Sequence, residues 1–435
     1  MCSSIWRVSS KLTVNLGMRY EYQNPPYDET DRLGNLWVRR DPTSGRYTGT
    51  LLWSTINPET DPVTGQRNSP AKREGTTRGL MNRDFNNFAP RVGIAYQLMP
   101  KTVIRSGYGI FYNSTFVQEL QDLRKFWPYT VQQVFVANTG LTPDLAITDG
   151  GPSFSNTSAI GGWPQNPNNR TPYSQQWNFT IQQQLMNDMS LEVAYIGSSN
   201  KKQVGYTALN AALKPGPGDV QPRRLLPEYA DLDGGSNEYG SNYHAFQVEL
   251  TKRFSRGFQL NMNYTWGRSM DDQSSLAEWK TQDPFNKRAD YSRSSIDLRH
   301  IFQLAYVWEL PFGKGKTYGG NWSRPLDAVI GGWALQGITR IQSGAPINVV
   351  VGQDRANVGR TYQRPNVVRN PNIGGFSNRN VDQPWFDTSA FQLQPIYTYG
   401  NAGAFLVDAD GRNTWDVALE KSYRFDEHKR LEYRN

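Results

Sequence analysis

Hydrophobic and polar residues alternate one by one over long stretches of this chain, most clearly at residues 243–267. The apolar side chains of that stretch share one face: Phe246, Val248, Leu250 and Phe254, then Phe258, Leu260, Met262, Tyr264 and Trp266. A period of two predicts β-strands, here joined by a tight turn at 255–257. Soluble strands usually have roughly five or six residues, whereas strands that cross an outer membrane need roughly 9–11. The stretch therefore predicts one hairpin of a transmembrane β-barrel.

The same alternation predicts further strands at 11–22, 91–98, 102–113, 177–185, 190–197, 298–310, 332–342 and 414–425, with the start of another at 431–435. Long polar loops and mostly short turns alternate between these strands. Short periplasmic turns and long extracellular loops are typical of bacterial outer-membrane barrels, and a soluble sandwich or propeller has no reason to keep that alternation. We predict an all-β fold, an antiparallel transmembrane barrel of about 10–12 strands. The count is ambiguous at 344–413, where Ile347, Val349 and Val351 also alternate.

The alternation also assigns side chains to the two faces of the predicted barrel. Successive residues of a strand face lipid and lumen in turn, and charged side chains are costly in lipid. We predict that the lumen is lined by Arg19, Glu21, Glu192, Glu249, Arg253, Asn261, Asn263, Arg340 and Glu420. Tyrosine and tryptophan are suited to the boundary between membrane and water. We predict a lipid-facing aromatic girdle of Tyr20, Tyr22, Tyr96, Tyr112, Trp177, Tyr195, Tyr264, Trp266, Trp308, Trp333 and Trp415.

Composition agrees with a barrel and excludes a helical membrane protein. Only 37% of the residues are hydrophobic and the mean hydropathy is −0.67, which a barrel tolerates because half of each strand and its outer loops are polar. The formal net charge of +8 is a weak indication of anionic partners. The basic residues are scattered along the chain, with no run typical of a nucleic-acid-binding arm. We therefore expect outer-membrane lipid, and no nucleic acid, among the partners.

Candidate metal sites are few. Cys2 is the only cysteine, so neither a disulfide nor a cysteine-based metal site can form within the chain. Two loop segments place carboxylates at alternate positions, as Ca²⁺ loops do: Asp231 with Asp233, and Asp408 with Asp410. Neither segment is followed by a glutamate at EF-hand spacing, so a plain loop turn is the favoured interpretation and Ca²⁺ the alternative.

The sequence contains no convincing active site. The histidines are isolated from one another and have no second ligand at metal spacing: His244, His300 and His428. We predict no catalytic residue, no cofactor site and no enzyme activity. Tryptophans in the predicted loops either anchor those loops or stack on a sugar or aromatic ligand: Trp163, Trp279 and Trp385.

Several stretches resemble the TonB-dependent outer-membrane receptors: LTVNLGMRYEYQNPP, NNFAPRVGIAYQ, SSIDLRHIFQLAYVWELPFGKGK, GGWALQGITRIQSGAPINV and DVALEKSYRFDEHKRLEYRN. The similarity is greatest to the Oar-like group, whose members carry an N-terminal carboxypeptidase-regulatory-like domain. These stretches mark strands and turns and are not ligand-binding signatures. The resemblance implies a barrel of roughly 22 strands, a plug domain in the lumen and an N-terminal segment that contacts TonB.

Compared with that receptor architecture, residues 1–435 are expected to form part of one receptor β-barrel domain. The N-terminal stretch MCSSIWRVSS lacks the apolar region of a secretory signal peptide. We expect the plug domain, the TonB-contact segment and the final strand or strands to be absent from this sequence, which makes it a receptor fragment.

Three functions follow from this interpretation. The first is a TonB-dependent uptake receptor in the outer membrane of a Gram-negative-type bacterium, which imports a scarce solute such as a siderophore, an oligosaccharide or a peptide. The alternative is a passive porin-like or structural barrel. The second alternative is a β-rich surface adhesin, whose aromatic faces pack sheet on sheet.

Overall fold

A computed structural model describes residues 2–54, 75–114, 117–126, 160–274, 281–372, 386–424 and 430–434. The strands of these residues are β1 Cys2–Arg7, β2 Leu12–Tyr20, β3 Gly34–Arg40, β4 Tyr47–Trp53, β5 Phe88–Met99, β6 Thr102–Tyr112, β7 Ile160–Gly162, β8 Tyr173–Met186, β9 Met189–Ala208, β10 Tyr229–Ser255, β11 Phe258–Asp271, β12 Ser292–Arg293, β13 His300–Glu309, β14 Trp333–Gln342, β15 Pro346–Ile347, β16 Asn366–Val367, β17 Phe391–Gln392, β18 Val407–Asp408, β19 Arg412–Arg424 and β20 Arg430–Arg434. The helices are α1 Val117–Arg124 and α2 Arg324–Ile330. No helix in these ranges is long and apolar enough to cross a membrane.

The long strands form one antiparallel sheet that follows the order of the chain. Its path is β1-β2-β5-β6-β8-β9-β10-β11-β13-β14-β19-β20, with β7 and β12 paired beside it. The remaining short strands form three separate pairs, β3 with β4, β15 with β18 and β16 with β17. An antiparallel sheet in which each long strand pairs with the next is the arrangement of an up-and-down barrel. Among the described residues β1 and β20 are its two edges, so the sheet is part of a barrel.

The pairing register keeps the apolar side chains on one face from strand to strand. Phe179 pairs with Tyr195, Tyr195 with Phe246, and Phe246 with Trp266, and directly paired residues lie on the same face of a sheet. Each of these four residues is between 41% and 49% exposed. A row of large rings this exposed to water is rare on a soluble monomer and indicates a surface that another phase or molecule covers.

Several strands differ from the sequence prediction in their ends. The strand predicted at 190–197 extends to Ala208 in β9, and its partner β10 begins at Tyr229. Beyond residue 197 the sequence SSNKKQVGYTA is mostly polar, so the alternation stops while the backbone pairing continues. Strand β1 was not predicted, because its six residues are too short to show a period and only the register with β2 identifies it.

The connections alternate as predicted. Short turns join β5 to β6, β8 to β9 and β10 to β11. The last of these turns places Arg256 at φ 49° and Gly257 at φ 76°, the left-handed pair that a two-residue hairpin turn requires. The ambiguous segment 344–413 contains no long hairpin in its described part. Ile347 and Val407 are paired there only through the two-residue strands β15 and β18.

The buried hydrophobic core lies in the long loops and in the ends of β9 and β10 that extend among them. Its largest cluster comprises Leu36, Leu51, Trp53, Phe126, Leu225, Leu226, Tyr229 and Leu232. The hairpin β3–β4 supplies the first three, inside a segment that was predicted to be a polar loop. That prediction was wrong, since apolar residues on both sides of the turn DPTSGR are buried against residues far away in the chain. The loops therefore pack together as a folded cap over one end of the sheet.

A buried ion pair joins two of these loops. Arg364 donates from Nη2 to Asp290 Oδ1 at 2.8 Å, and both side chains are 1% exposed. Arg364 also donates from Nε to the carbonyl of Ala402 at 2.8 Å, and Gln282 Oε1 accepts from its backbone N–H at 3.0 Å. A buried guanidinium with this many partners ties the loop before β13 to the loop before β19.

We predict that Arg364→Met destabilises the loop cap by about 3–5 kcal/mol, because it leaves the buried Asp290 carboxylate without its counter-ion. Limited proteolysis of the full-length protein measures this as faster cleavage in the loops. Arg412→Met, at an exposed arginine, is the control. Equal cleavage rates for the two variants would contradict the prediction.

The two faces of β10 give a second prediction. Val248 lies on the apolar face, midway along the stretch that pairs with β11, and Gln247 lies on the opposite face. If the apolar face meets lipid, Val248→Arg costs about 2–4 kcal/mol and Gln247→Arg costs little. Urea unfolding of the full-length protein in phospholipid bilayers measures both. A Gln247→Arg variant as unstable as Val248→Arg would be the contrary result.

Candidate functional site

The predicted girdle residues that lie in strands share one face of the sheet. Pairing places Tyr20 beside Phe88, Trp266 beside Phe246 and Trp308 beside Phe258, and the same register carries this face to Tyr96, Tyr112, Trp177, Tyr195, Tyr264, Trp333 and Trp415. Tyr22 follows β2 and stacks on Phe85 with ring centroids 5.1 Å apart. Three rings lie near the short turns, Tyr96, Trp308 and Trp333, and the others lie toward the long loops. The aromatic residues thus occupy both ends of the strands.

The predicted lumen residues lie on the opposite face. One row across neighbouring strands pairs Glu192 with Glu249, Glu249 with Asn263, Asn263 with Gln303, and Gln303 with Arg340. Asn261 shares this face through its pair with Thr251, Glu420 through its pair with Ala334, and Arg19 through its pair with Ala89. Glu21 follows β2 and forms an ion pair with Arg19, in which Nε and Oε1 are 2.9 Å apart. Arg253 lies at the irregular end of β10 and has no pairing partner in β11. Two carboxylates directly opposite each other repel, so this face requires water or polar partners.

A cavity of about 280 Å³ lies where several long loops meet above the sheet. We call it the loop cavity. Its walls come from the β3–β4 hairpin, from residues 164–166, from the ends of β9 and β10 nearest the loops, and from residues 284–287. The aromatic side chains in its lining are Trp37, Tyr47 and Phe285, and the rings of Tyr47 and Phe285 are 41% and 42% exposed. Concave sites with rings and a few polar groups are typical of ligand binding.

A buried amide pair shapes the wall of the loop cavity. Gln165 donates from its backbone N–H to Asn35 Oδ1, and Asn35 Nδ2 donates to the carbonyl of Gln165, both at 2.9 Å. The side-chain oxygen of Gln165 is buried and accepts no hydrogen bond from a described residue. A Cβ at Gly235 would lie 2.0 Å from that oxygen, so a larger residue there would displace the Gln165 side chain. Gln165 lines the loop cavity, so this unpaired acceptor lies within the cavity wall.

A charged pair lies at the same cavity. Lys287 contacts the carboxylate of Glu238, and its ammonium lies 5.0 Å from the ring centroid of Tyr239. Burial lowers the pKa of Lys287 to about 8, although Glu238 is beside it. The loop cavity thus combines apolar rings, an amide acceptor and a cation that is partly deprotonated near pH 8.

Arginines occupy most of the carboxylates that were considered for calcium. Arg224 lies 2.6 Å from Asp231, Arg360 lies 2.8 Å from Asp233, and Arg293 lies 2.7 Å from Asp408. Asp410 is exposed. In the part of the chain that the structure describes, no three His, Cys, Asp or Glu side chains are placed to hold a metal ion. Asp408 ends β18 and Asp410 follows it in a loop, which agrees with a loop turn. Asp231 and Asp233 lie inside β10, so the prediction of a loop turn was wrong for that segment.

Two of the histidines pair with tyrosines on the aromatic face. His244 Nδ1 lies 2.7 Å from the hydroxyl of Tyr195, and His300 Nδ1 lies 2.8 Å from the hydroxyl of Tyr264. Each ring also stacks on its tyrosine, with interplanar angles of 20° and 19°. His428 lies outside the described residues.

Of the loop tryptophans, only Trp163 lies within the described residues; Trp279 and Trp385 do not. The ammonium of Lys125 is 5.8 Å from the ring centroid of Trp163, and the Trp163 carbonyl accepts from the side chain of Gln165 at 3.4 Å. These contacts fit the anchoring role. The sequence did not predict the rings of the loop cavity, Trp37, Tyr47 and Phe285. The turn sequence DPTSGR between two apolar stretches is the only local sign of the hairpin that carries Trp37 and Tyr47.

The chain matches a protein family described as outer membrane beta barrel domain, over residues 5–435. No curated protein matches it. Among solved structures it is similar to the ferripyoverdine receptor of Pseudomonas aeruginosa (12% identity, 98% of this chain, 32% of that chain, TM-score 0.40). It is also similar to the outer membrane transporter YddB of Escherichia coli (11% identity, 98% of this chain, 47% of that chain, TM-score 0.43). A third similar structure is the ferric-catecholate import receptor Fiu of E. coli K12 (8% identity, 99% of this chain, 38% of that chain, TM-score 0.38). The chain thus spans between about a third and a half of the length of these proteins.

The lowered pKa of Lys287 gives a prediction about reactivity. Only the neutral amine reacts with acetic anhydride, so labelling of Lys287 should reach half of its maximum near pH 8. Competitive labelling of the full-length protein followed by peptide mass spectrometry measures this, with the exposed Lys214 as the internal reference. The same shift makes stability depend on pH. Above pH 8 the unfolded state holds more protons than the folded state, so the free energy of unfolding rises with pH until the pH reaches the pKa of lysine in the unfolded chain. Half-labelling near pH 10 would show that the ammonium is not desolvated.

Proposed function

The chain belongs to the outer membrane β-barrel domain family, and on this premise we propose that it is the barrel portion of an uptake receptor. The protein lies in the outer membrane. Its long loops form the outer surface, since outer-membrane barrels keep their short turns on the periplasmic side. In this proposal the loop cavity binds a scarce solute, and the polar face of the sheet lines the route inward.

The observation that carries this proposal is the packed loop cap. A passive porin keeps a water-filled channel open, whereas here the long loops bury a hydrophobic cluster and enclose a cavity over one end of the sheet. The ion pair between Arg364 and Asp290 holds loops together that are far apart in the chain. Loops that are folded around a cavity support recognition of a particular solute over free diffusion of many.

The lining of the loop cavity favours a ligand with both apolar and polar surfaces. The rings of Trp37 and Phe285 offer apolar faces, and Lys287 with Glu238 offers charge at the same opening. Sugars, peptides and siderophores all combine such surfaces, and aromatic rings stack well on the apolar faces of sugars or aromatic groups. The proposed solute is therefore a sugar, a peptide or a siderophore. The proposal also includes a plug domain in the lumen and a segment that contacts TonB, because the strand sequences resemble those of TonB-dependent receptors.

The proposal also assigns the two faces of the sheet. The face with Tyr195, Phe246 and Trp266 meets lipid, because its exposed rings would otherwise contact water. The face with Glu192, Glu249 and Arg340 lines the lumen, where charged side chains remain hydrated.

Uptake assays in a Gram-negative host that expresses the full-length protein test the proposal. The solutes are a ferric catecholate, a ferric hydroxamate, a malto-oligosaccharide and a tripeptide, each radiolabelled. We expect one of them to accumulate, and a protonophore to abolish its accumulation. Uptake that a protonophore leaves unchanged would establish a passive pore instead. Host cells that gain surface adhesion and take up none of the solutes would favour the adhesin.

The cavity itself is tested with Trp37→Ala combined with Phe285→Ala. Buried aromatic contacts commonly contribute about 2 kcal/mol or more to binding, so uptake at low solute concentration should fall at least roughly tenfold. Tyr318→Ala is the matched control, because Tyr318 is 58% exposed and lies in the connection between β13 and β14, at the opposite end of the sheet. Equal uptake by the two variants would exclude the loop cavity as the binding site.

A further inference from the structure

The aromatic face of the sheet ends, toward the long loops, in a cavity of about 440 Å³ that is rich in arginine. We call it the basic cavity. Its charged and titratable lining residues are Arg268, Arg293, Asp297, Arg299, His300 and Asp408. It shares no lining residue with the loop cavity. The two cavities are therefore separate places on the molecule.

The register places the basic cavity on the face with the exposed rings. His300 pairs directly with Trp266, and Arg268 follows Trp266 by two residues in β11 and pairs with His244. The guanidinium of Arg299 lies 5.6 Å from the ring centroid of Trp266, which is 49% exposed. The cations thus lie immediately beyond a ring suited to the boundary between hydrocarbon and water.

The charges in the basic cavity do not cancel. Arg293 binds both acids, with Nε 2.9 Å from Asp297 and Nη1 2.7 Å from Asp408. No described residue offers a carboxylate to Arg268 or Arg299. The polar contact of Arg268 is from Nε to the sulfur of Met270, at 3.2 Å, and that sulfur is a weak acceptor. Two guanidinium groups therefore remain for an anion from outside the described chain.

We propose that the basic cavity binds the phosphate-bearing headgroup of an outer-leaflet lipid. Guanidinium groups bind phosphate oxygens with paired hydrogen bonds, and basic pockets beside membrane-spanning segments bind anionic headgroups. The acyl chains of this lipid lie on the strip below, where Phe302 pairs with Tyr264 and Tyr264 with Val248. The proposal rests on the outer-membrane location and not on which solute the protein imports.

Position and surroundings favour a lipid over a free anion. The cavity lies beside Trp266 and His300, at the loop end of the face that carries the exposed rings, and it shares no lining residue with the loop cavity where the solute would bind. An arginine at this level keeps its alkyl stem on apolar surface while its charged end reaches the headgroups. A lipid contacts the guanidinium groups through its headgroup and the apolar rings through its acyl chains, whereas inorganic phosphate contacts only the guanidinium groups.

The test is lipid retention by the full-length protein in mild detergent, measured by native mass spectrometry. The probes are phosphatidylglycerol and phosphatidylcholine with identical acyl chains. Arg268→Gln combined with Arg299→Gln removes the two cations, and Lys201→Gln combined with Lys214→Gln removes the same charge from exposed sites outside the cavity. Heat-modifiable migration on a gel shows that each variant is folded.

We expect the wild type and the lysine variant to retain one phosphatidylglycerol molecule at low lipid concentration. The arginine variant should need at least about tenfold more lipid, a change equivalent to about 1.4 kcal/mol. The wild type should retain phosphatidylcholine more weakly than phosphatidylglycerol, because its choline cation offsets the charge of its phosphate. The proposal is overturned if the two variants retain phosphatidylglycerol equally, or if inorganic phosphate displaces it completely, which would identify a free-phosphate site.

Discussion

The structure depends on one constraint, which is that every backbone N–H and C=O inside a membrane must be hydrogen-bonded within the protein. The long strands meet it by pairing each with the next, from β1 to β20. Because side chains alternate along a strand, the same pairing separates them into two faces. The row from Phe179 to Trp266 and the row from Glu192 to Arg340 are consequences of one register.

The part of such a sheet that spans the membrane cannot contain the hydrophobic core of the protein. One face is apolar and exposed, the other is polar, and neither packs against a second layer among the described residues. The buried leucines lie mostly in the long loops, and the buried tyrosines lie where β9 and β10 extend into those loops. Polar side chains also hold the loops together: Asn210 Oδ1 accepts from the Leu226 backbone N–H at 2.7 Å. Loops packed in this way hold a cavity in a fixed shape, which is a requirement for selective binding.

Positive charge has different partners in different parts of the molecule. Arg364 is buried in the cap and bound to Asp290. Lys287 is beside an apolar cavity, where burial lowers its pKa. Arg268 and Arg299 are at the edge of the aromatic face without a carboxylate from the described residues. The modest net charge of the chain therefore says less about its partners than the place of each cation does.

The sequence by itself determined the barrel strands, the alternation of short and long connections, and which of the predicted girdle and lumen residues within paired strands share a face; that these faces meet lipid and lumen stays a prediction. These properties depend on a period of two residues, which is local and visible in any single strand. Only the tertiary structure decided the rest: strand β1, the full length of β9 and β10, the β3–β4 hairpin and both cavities. Their defining contacts join residues far apart in the chain, such as Asn35 with Gln165 at a separation of 130 residues. No local pattern encodes which distant loops will meet, because that depends on the order of the strands that bring their ends together.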